Sequence, residues 1–345
     1  MKKGKVVKRV ILIILCIILL TAVGAGVYGF IFIKNKLNKI NYVEVDTNEI
    51  EINEEVKEQE KLKGFRTIAL LGIDSRSDDY GTGNRSDCII LAAINQDTKE
   101  VSLVSVYRDT YLKLTGRNLD KVNHAYSYGG PTLALSTLNT NLDLDIKEFV
   151  TVNFEAVVES VDAIDGIELD ITNEELKYIN PYIREINRVT KHSSKELTEA
   201  GEQHVDGVQA LAYSRIRYTA GGDYKRTERM RTVVMKAFEK AKTLNVKQLD
   251  ELTDILLPKI YTNIESKEIL SMIPEMVNYK VKENIGWPYK TRGATIGGIW
   301  YGPAITLESN VVKLHQEIYG QEDYTASKTV KQISNEIIRK TGYTQ

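Results

Sequence analysis

TIALLGID, at residues 67–74, is a short apolar run that ends in a carboxylate, and two similar runs follow it: CIILAAI at residues 88–94 and VSLVSVY at residues 101–107. Each run has the length and the aliphatic, β-branched content of a buried strand. A polar loop at residues 75–86 and a turn signal at residues 95–97 separate the runs. The sequence therefore predicts a three-stranded antiparallel meander.

Charged side chains stand at the ends of these predicted strands. Asp74 follows the first strand, Asp87 precedes the second and Arg108 follows the third, so in a meander all three would meet at one edge. Two carboxylates held together need a cation between them, and carboxylates with phosphate and water oxygens are usual ligands of Mg²⁺. In the alternative interpretation, the two aspartates only cap loops and Arg108 pairs with its neighbour Asp109.

A second concentration of charge lies at residues 213–231, which are rich in arginine and lysine. A guanidinium is a planar fork that matches phosphate geometry, so clustered arginines favour a phosphate site over the alternative of a solvated basic helix face. A short helix is predicted at residues 207–212, with Asp206 near its start. Arg215 and Arg217 face the same ligand only if this helix unwinds near Ser214.

The corner at residues 221–223 predicts a new helix, with Asp223 as its N-cap, on which Arg226 and Arg229 share one face. Lys121 and Asn123 lie in a polar turn and are further candidates for phosphate binding.

Beyond the meander, the patterns alternate between strand and helix, which is typical of an α/β sandwich. Strands are predicted at residues 149–152 and 167–171, and helices at residues 132–142, 156–164, 224–243, 247–257, 266–279 and 305–318. Residues 321–345 have the composition of a polar tail.

An uncharged apolar run at residues 10–33 is about 36 Å long as a helix, enough to span a bilayer. The alternative is a cleaved signal peptide, but the run is longer than a usual signal core and lysines follow it. Lysines and an arginine in residues 1–9 predict a cytoplasmic N-terminus and an extracytoplasmic chain beyond the span. Residues 34–64 are rich in Glu and Asp after their first lysines and predict an acidic stalk, which leaves residues 65–320 as the globular domain.

Composition narrows the possible functions. The chain has 345 residues, 42% of them hydrophobic, and a formal net charge of −1, which makes nucleic acid a poor candidate partner. Of its two cysteines, Cys16 lies in the predicted span, and Cys88 fits a small core residue better than a nucleophile. The four histidines are scattered without metal-ligand spacing, and no known nucleophile or nucleotide-binding motif is present.

Taken together, the quoted residues resemble the LytR-CpsA-Psr family of membrane-anchored enzymes of bacterial cell-envelope assembly. The resemblance covers roughly residues 65–235. It rests on LGIDSR at 71–76, RSD at 85–87, SVYRD at 105–109, KVN at 121–123 and AYSRIR at 212–217, with Asp223 and Arg226. Many members carry glutamines where this chain has Met230 and Arg231, and threonine is common where it has Cys88.

The resemblance implies a phosphotransferase that moves a glycopolymer from an undecaprenyl-pyrophosphate carrier to a peptidoglycan hydroxyl. It implies an α/β/α sandwich with a central mixed sheet and a deep apolar pocket for the polyprenyl chain. It also implies that Asp74 and Asp87 hold Mg²⁺ and act in catalysis with Arg108, and that the pyrophosphate is gripped by Arg85, Arg108, Arg215, Arg217 and Arg226. Alternatives are a protein that only binds the lipid pyrophosphate, a pyrophosphatase, or an envelope scaffold.

Overall fold

A computed structural model describes residue 36 and residues 38–57, 62, 64–75 and 79–344. The predicted N-terminus and membrane span lie outside the described residues. Among the residues that are described, no helix is long and apolar enough to cross a membrane. The strands are β1 (Asn41–Tyr42), β2 (Phe65–Ile73), β3 (Ser86–Asn95), β4 (Glu100–Val106), β5 (Tyr111–Lys113), β6 (Leu119–Lys121), β7 (Glu148–Val152), β8 (Ile167–Ile171), β9 (Gly201–Val205), β10 (Tyr261–Thr262), β11 (Lys280–Trp287), β12 (Ala294–Ile296) and β13 (Ile299–Tyr301).

The main sheet is mixed and has the strand order β1-β10-β7-β2-β3-β4-β11. Strands β2, β3 and β4 pair antiparallel, which confirms the predicted meander. Strand β7 pairs parallel with β2, and β11 pairs parallel with β4. Apolar runs without polar alternation suit these central strands because both of their faces are covered.

The helices lie between and after the strands. They are α1 (Glu54–Lys57), α2 (Asn123–Leu142), α3 (Phe154–Ala163), α4 (Asn173–Thr190), α5 (Gly207–Arg215), α6 (Gly222–Ala241), α7 (Val246–Leu256), α8 (Ser266–Glu275), α9 (Leu307–Tyr319) and α10 (Lys328–Thr341).

Alternate residues of the central strands enter two different cores. Leu71, Ile89 and Val104 pack with α2, α9 and α10 on one face. Ile68 and Ile90 pack on the other face, against side chains of α6 and α8. Since side chains alternate along a strand, the sheet is covered by helices on both faces, and this mixed α/β architecture agrees with the expected three-layer sandwich. A separate core joins α3, α4, α5 and the paired strands β8 and β9.

Both ends of the described chain depart from the prediction. Ile50 and Val56, in the predicted stalk, are buried in the main core, and β1 pairs with β10. Residues 321–345 are not a polar tail, because α10 buries Val330 and Ile337 in the same core. The helix is amphipathic, and its charged outer face dominated the composition of the segment.

Other differences have local causes. The predicted helix at residues 132–142 is the second part of α2; a kink at Gly129 and Gly130, where φ is −151° and 62°, separates it from a helical segment at residues 123–128 that was not predicted. Helix α4 was not predicted, although Thr172 and Glu175 form a capping box at its start. Strands β11, β12 and β13 lie between the predicted helices at residues 266–279 and 305–318, where no strand was predicted.

Candidate functional site

The strand edge that carries Asp87 is built by a β-bulge. Gly72 pairs with Cys88 and Ile73 pairs with Ser86, so Asp87 is the extra residue of β3. A bulge re-aims the side chain that it carries. The Asp87 carboxylate accepts from Arg108 Nη1 at 2.6 Å and from Asn123 Nδ2 at 3.1 Å. The predicted meeting of Asp87 and Arg108 is therefore confirmed.

Arg108 joins the sheet edge to helix α6. Its Nε donates to Asp223 Oδ2 at 2.9 Å and lies 3.3 Å from Asp109 Oδ2. Burial alone lowers the pKa of Arg108, but the carboxylates of Asp87 and Asp223 outweigh it and raise the pKa. The guanidinium thus lies between the carboxylates of Asp87 and Asp223, and it also makes the Asp109 contact of the alternative interpretation.

Asp74 has a different environment from Asp87. It is exposed, and its Oδ1 accepts from the backbone N–H of Arg85 at 2.8 Å, so it does cap the loop. The Arg85 side chain is exposed. Within the described part of the chain, no group of three or more His, Cys, Asp or Glu side chains is arranged to hold a metal ion.

Asp223 is the centre of the charge cluster, a role that its sequence position did not reveal. Helix α6 is capped by Gly221, whose φ is 89°, and not by Asp223, which lies in the first turn. Three guanidiniums surround the Asp223 carboxylate: that of Arg108, that of Arg226 with Nη2 at 3.1 Å, and that of Arg217 with Nε at 3.7 Å. We call Asp87, Arg108, Arg217, Asp223 and Arg226 the arginine cluster.

Arg226 is the most unusual member of the arginine cluster. Its side chain is 1% exposed, and its Nε and Nη2 have no hydrogen-bond partner among the described protein atoms, although Nη2 contacts Asp223 electrostatically. Burial, followed by the charge of Arg108, lowers the pKa of Arg226 to about 10. A buried cation with unfilled donors beside two further guanidiniums is an arrangement that an anion would stabilise.

Arg215 and Arg229, two of the predicted phosphate ligands, do not belong to the cluster. Arg229 is 2% exposed and donates to Glu175 at 2.7 Å, to the Ile216 carbonyl and to Thr219, so its donors are already used in the core. Arg215 still belongs to α5, which ends three residues beyond the predicted helix. It donates to Glu185 at 3.2 Å and lies over Phe154, and it does not share a described partner with Arg217.

Lys121 and Asn123 border the cluster. The Lys121 Nζ lies 2.7 Å from Asp109 Oδ1, which makes it a neighbour of Arg108 through that carboxylate. Asn123 is buried, its backbone N–H donates to the Arg108 carbonyl at 3.2 Å, and its side-chain Oδ1 has no partner among the described atoms. Asn123 therefore positions Asp87 and retains one free acceptor.

An apolar cavity of about 360 Å³ begins at Asp87 and runs between the sheet and helices α3 and α6. Its walls include Leu70, Val150, Val157, Val234, Ala237 and Ile260. On α6, Met230, Val233, Val234 and Ala237 line the cavity and follow Arg226 at intervals of four, seven, eight and eleven residues. One face of one helix thus presents a cation first and apolar side chains beyond it.

The departures noted in the sequence are explained by this placement. Met230 and Cys88 line the apolar cavity. Burial raises the pKa of the Cys88 thiol to about 12, which agrees with a core residue. Arg231 is buried and donates to Asn284.

Fold and site together define an α/β protein in which a cluster of arginines and aspartates lies beside an apolar cavity. A model of the LytR_cpsA_psr family matches residues 27–313. The chain belongs to this family.

Several proteins are similar to this chain. Polyisoprenyl-teichoic acid–peptidoglycan teichoic acid transferase TagU of Oceanobacillus iheyensis is 30% identical over 281 residues, which cover 78% of this chain and 79% of the relative. The structure of TagT bound to LI-WTA superposes with a TM-score of 0.59 at 22% identity, covering 87% of this chain and 100% of that one. A structure of YwtF (TagT) with bound octaprenyl pyrophosphate lipid has the same identity and coverage and a TM-score of 0.55. These structures share the fold.

Proposed function

We propose that this protein transfers a glycopolymer from a polyprenyl-pyrophosphate carrier to a hydroxyl of peptidoglycan, forming a phosphodiester. The observation that carries the proposal is Arg226, a buried guanidinium with unfilled donors, which lies one helical turn before Met230 in α6, while Met230 and Asp87 both line the apolar cavity. A lipid pyrophosphate has the matching chemistry because its head is a polyanion and its tail is a hydrocarbon. The relatives named for teichoic acid transfer, and the solved relative with octaprenyl pyrophosphate, support this assignment.

In the proposed reaction the acceptor oxygen forms a bond to the phosphorus that bears the glycan. The bridging bond from that phosphorus to the second phosphate breaks, and polyprenyl phosphate leaves with the electron pair. The proton of the acceptor hydroxyl goes to a base or to solvent. Phosphoryl transfer asks the protein mainly for positioning and charge stabilisation. Arg108, Arg217 and Arg226 would stabilise the charge on the phosphate oxygens, while Asp87 and Asp223 hold these arginines in place.

We also propose that the reaction depends on Mg²⁺, held by Asp74 and Asp87. The donor chemistry fits, because Mg²⁺ commonly takes one or two protein carboxylates and completes its shell with phosphate and water oxygens. When bound, the ion would neutralise charge on the phosphates as a Lewis acid. Both oxygens of Asp87 already accept hydrogen bonds, whereas Asp74 has one carboxylate oxygen engaged by the Arg85 backbone.

The Mg²⁺ assignment predicts that Asp74→Asn lowers Mg²⁺-dependent transfer strongly without lowering the melting temperature of the protein. Binding of Mg²⁺, measured by calorimetry with octaprenyl pyrophosphate present, should weaken in parallel. Glu202→Gln, an exposed carboxylate on β9, serves as the control and should leave both measurements unchanged. If Asp74→Asn retains full Mg²⁺ affinity and turnover, the metal is held elsewhere.

The domain would act on the outer side of the membrane, tethered by residues 10–33. This proposal rests on the basic residues at positions 1–9 and the charge-free run that follows. A reporter fused after Gln345 should be active only outside the membrane. Activity of a cytoplasmic reporter at the same position would contradict it.

The decisive experiment supplies purified full-length protein in detergent with Mg²⁺, a polyprenyl-pyrophosphate-linked glycan and peptidoglycan strands. Release of polyprenyl phosphate only when peptidoglycan is present would establish transfer. Release without the acceptor would identify a pyrophosphatase, and binding without release would identify a carrier or sensor. Val157→Trp, which narrows the apolar cavity, should weaken binding of octaprenyl pyrophosphate.

A further inference from the structure

The hairpin formed by β12 and β13 brings an exposed aromatic side chain next to the arginine cluster. The strands pair from Ala294 with Tyr301 to Ile296 with Ile299, and Gly297 and Gly298, with φ of 59° and 83°, form the tight turn between them. Trp300 is 44% exposed in β13. Its exposed indole is an amphipathic surface that a ligand bound beside the cluster can contact.

Trp300 borders a small crevice of about 10 Å³ that reaches the centre of the cluster. Asp109, Asp223 and Tyr224 line the same crevice. The hairpin is tied to this place because the Gly302 N–H donates to the Asp109 carbonyl at 2.9 Å. The rings of Tyr301 and Tyr111 also pack with their centroids 4.5 Å apart.

The indole ring itself is held in a defined orientation. A Cβ at Gly293 would lie 2.8 Å from the Trp300 Nε1, so the bare backbone at this glycine lets the ring lie close against it. On the cluster side, Lys121 Nζ lies 6.0 Å from the centroid of the ring and 2.7 Å from Asp109 Oδ1. A fixed aromatic face therefore stands beside a carboxylate and an ammonium group.

This combination matches a sugar ring better than an apolar ligand. The C–H face of a pyranose packs on an aromatic ring, while its hydroxyls bond to neighbouring charged groups. An extended apolar partner would need a continuous patch, but Ile299, the other exposed hydrophobic residue of this hairpin, precedes Trp300 in the strand and points to the opposite face.

We propose that Trp300 is a stacking platform for a pyranose ring next to the transferred phosphate, with Asp109 and Lys121 as polar partners of its hydroxyls. The inference rests on the proposed function, since a phosphate at the arginine cluster would bring a sugar onto the surface over this crevice, against the exposed indole. The sugar belongs either to the glycopolymer of the donor or to the peptidoglycan acceptor. Both sources offer the same chemistry, and kinetics distinguishes them.

The test compares Trp300→Ala and Trp300→Phe with Ile299→Ala, a matched exposed residue on the same hairpin. KM is measured separately for a polyprenyl-pyrophosphate-linked glycan and for soluble peptidoglycan strands. Loss of the indole should raise one KM by about tenfold, as for other anchoring aromatics. A higher KM for the donor would assign the platform to the glycopolymer, and a higher KM for the acceptor would assign it to peptidoglycan. Trp300→Phe keeps an aromatic face, so its KM should stay close to the wild-type value. Gly293→Ala should raise the same KM as Trp300→Ala does.

A binding measurement separates this inference from the proposed function. Trp287, the other tryptophan, is fully buried, so fluorescence changes caused by added soluble saccharide would arise at Trp300 and should vanish in Trp300→Phe. This readout applies even if the wild-type protein shows no transfer. Octaprenyl pyrophosphate, which has no sugar, should bind Trp300→Ala as tightly as it binds the wild type.

Three results would overturn the platform. In the first, Trp300→Ala behaves like Ile299→Ala in both KM values and saccharide leaves the fluorescence unchanged. In the second, Trp300→Ala weakens binding of octaprenyl pyrophosphate to the same degree as binding of the glycan-linked lipid, which would indicate a role in the phosphate site. In the third, both variants lose affinity for anionic phospholipid vesicles and neither changes KM, which would make the hairpin a membrane-surface anchor.

Discussion

Arg226 and Arg229 are both buried and lie three residues apart on helix α6, yet their surroundings are opposite. Arg229 donates to the buried carboxylate of Glu175, to a backbone carbonyl and to a hydroxyl. Arg226 faces two other guanidiniums, and two of its nitrogens have no hydrogen-bond partner among the described atoms. At the scale of single residues, Arg229 stabilises the fold, whereas Arg226 has donors that are available to a ligand.

Replacement of Arg226 by methionine should therefore stabilise the free protein and abolish transfer. Burial lowers its pKa to about 10, so the charged form is disfavoured by about 3 kcal/mol in the folded state. This destabilisation is present at neutral pH and is lost only as the pH rises above about 10. Urea unfolding at pH 7 measures the gain in the free energy of unfolding.

Arg229→Met is the matched comparison and should have the opposite effect on stability. It leaves Glu175 buried without its cation, which costs about 3 to 5 kcal/mol. Any loss of activity should follow the fraction of unfolded protein. If both variants shift stability in the same direction, the two environments have been misassigned.

Arg217 tests whether the cluster needs planar guanidiniums or only positive charge. Arg217→Lys keeps the charge but loses the forked donor. We expect transfer to fall by about ten- to a hundredfold, the effect of one charge-assisted hydrogen bond. Arg184→Lys, an exposed arginine paired with Glu196, should be normal. Arg231 does not serve as this control, because it is buried against Asn284. Equal activities of the two variants would indicate a diffuse electrostatic surface.

At the scale of elements, α10 shows how composition conceals an amphipathic helix. Residues 328–341 are mostly polar, yet the helix begins at the capping residue Ser327 and ends at Gly342, whose φ is 73°. Its apolar residues recur at helical spacing and enter the main core next to α2. The C-terminal segment is thus a structural part of the domain.

This placement predicts a large difference between two neighbouring isoleucines of α10. Ile337 is 1% exposed in the main core, whereas Ile338 is only partly buried. Ile337→Ala should lower the free energy of unfolding by about 2 to 5 kcal/mol, with a much smaller loss for Ile338→Ala. Thermal and urea unfolding of both variants make the comparison. Similar small losses would mean that α10 is dispensable.

At the scale of the whole molecule, Asp143 joins three distant parts of the chain. Its carboxylate accepts from Asn53 at 2.6 Å, from the Ser327 backbone at 2.8 Å and from the Tyr324 hydroxyl at 2.5 Å. His315 stacks on Tyr324 with the ring centroids 3.8 Å apart and is itself fully buried. The N-terminal segment, α2 and the C-terminal helices are therefore held by one polar network.

His315 makes the stability of this network depend on pH. Burial lowers the pKa of His315 and outweighs its hydrogen bonds to the Leu142 carbonyl and Gln321. The unfolded state then binds the proton more readily, so stability should fall as the pH drops below about 6.5. His315→Gln should unfold with a weaker dependence on pH between 7 and 5. An unchanged pH dependence of unfolding would mean that other titrating groups cause it.

The meander, the meeting of Asp87 with Arg108 and the family could all be predicted from the sequence. Strand runs and turn signals are local, and a meander brings neighbouring strand ends to one edge whatever surrounds them. The tertiary structure decided the rest. Asp223 became the centre of the cluster, Arg229 a core ion pair, and residues 321–345 part of the main core. A side chain's role depends on its burial and on partners far away in sequence, and Arg226 and Arg229 are indistinguishable until Glu175 is placed beside one of them.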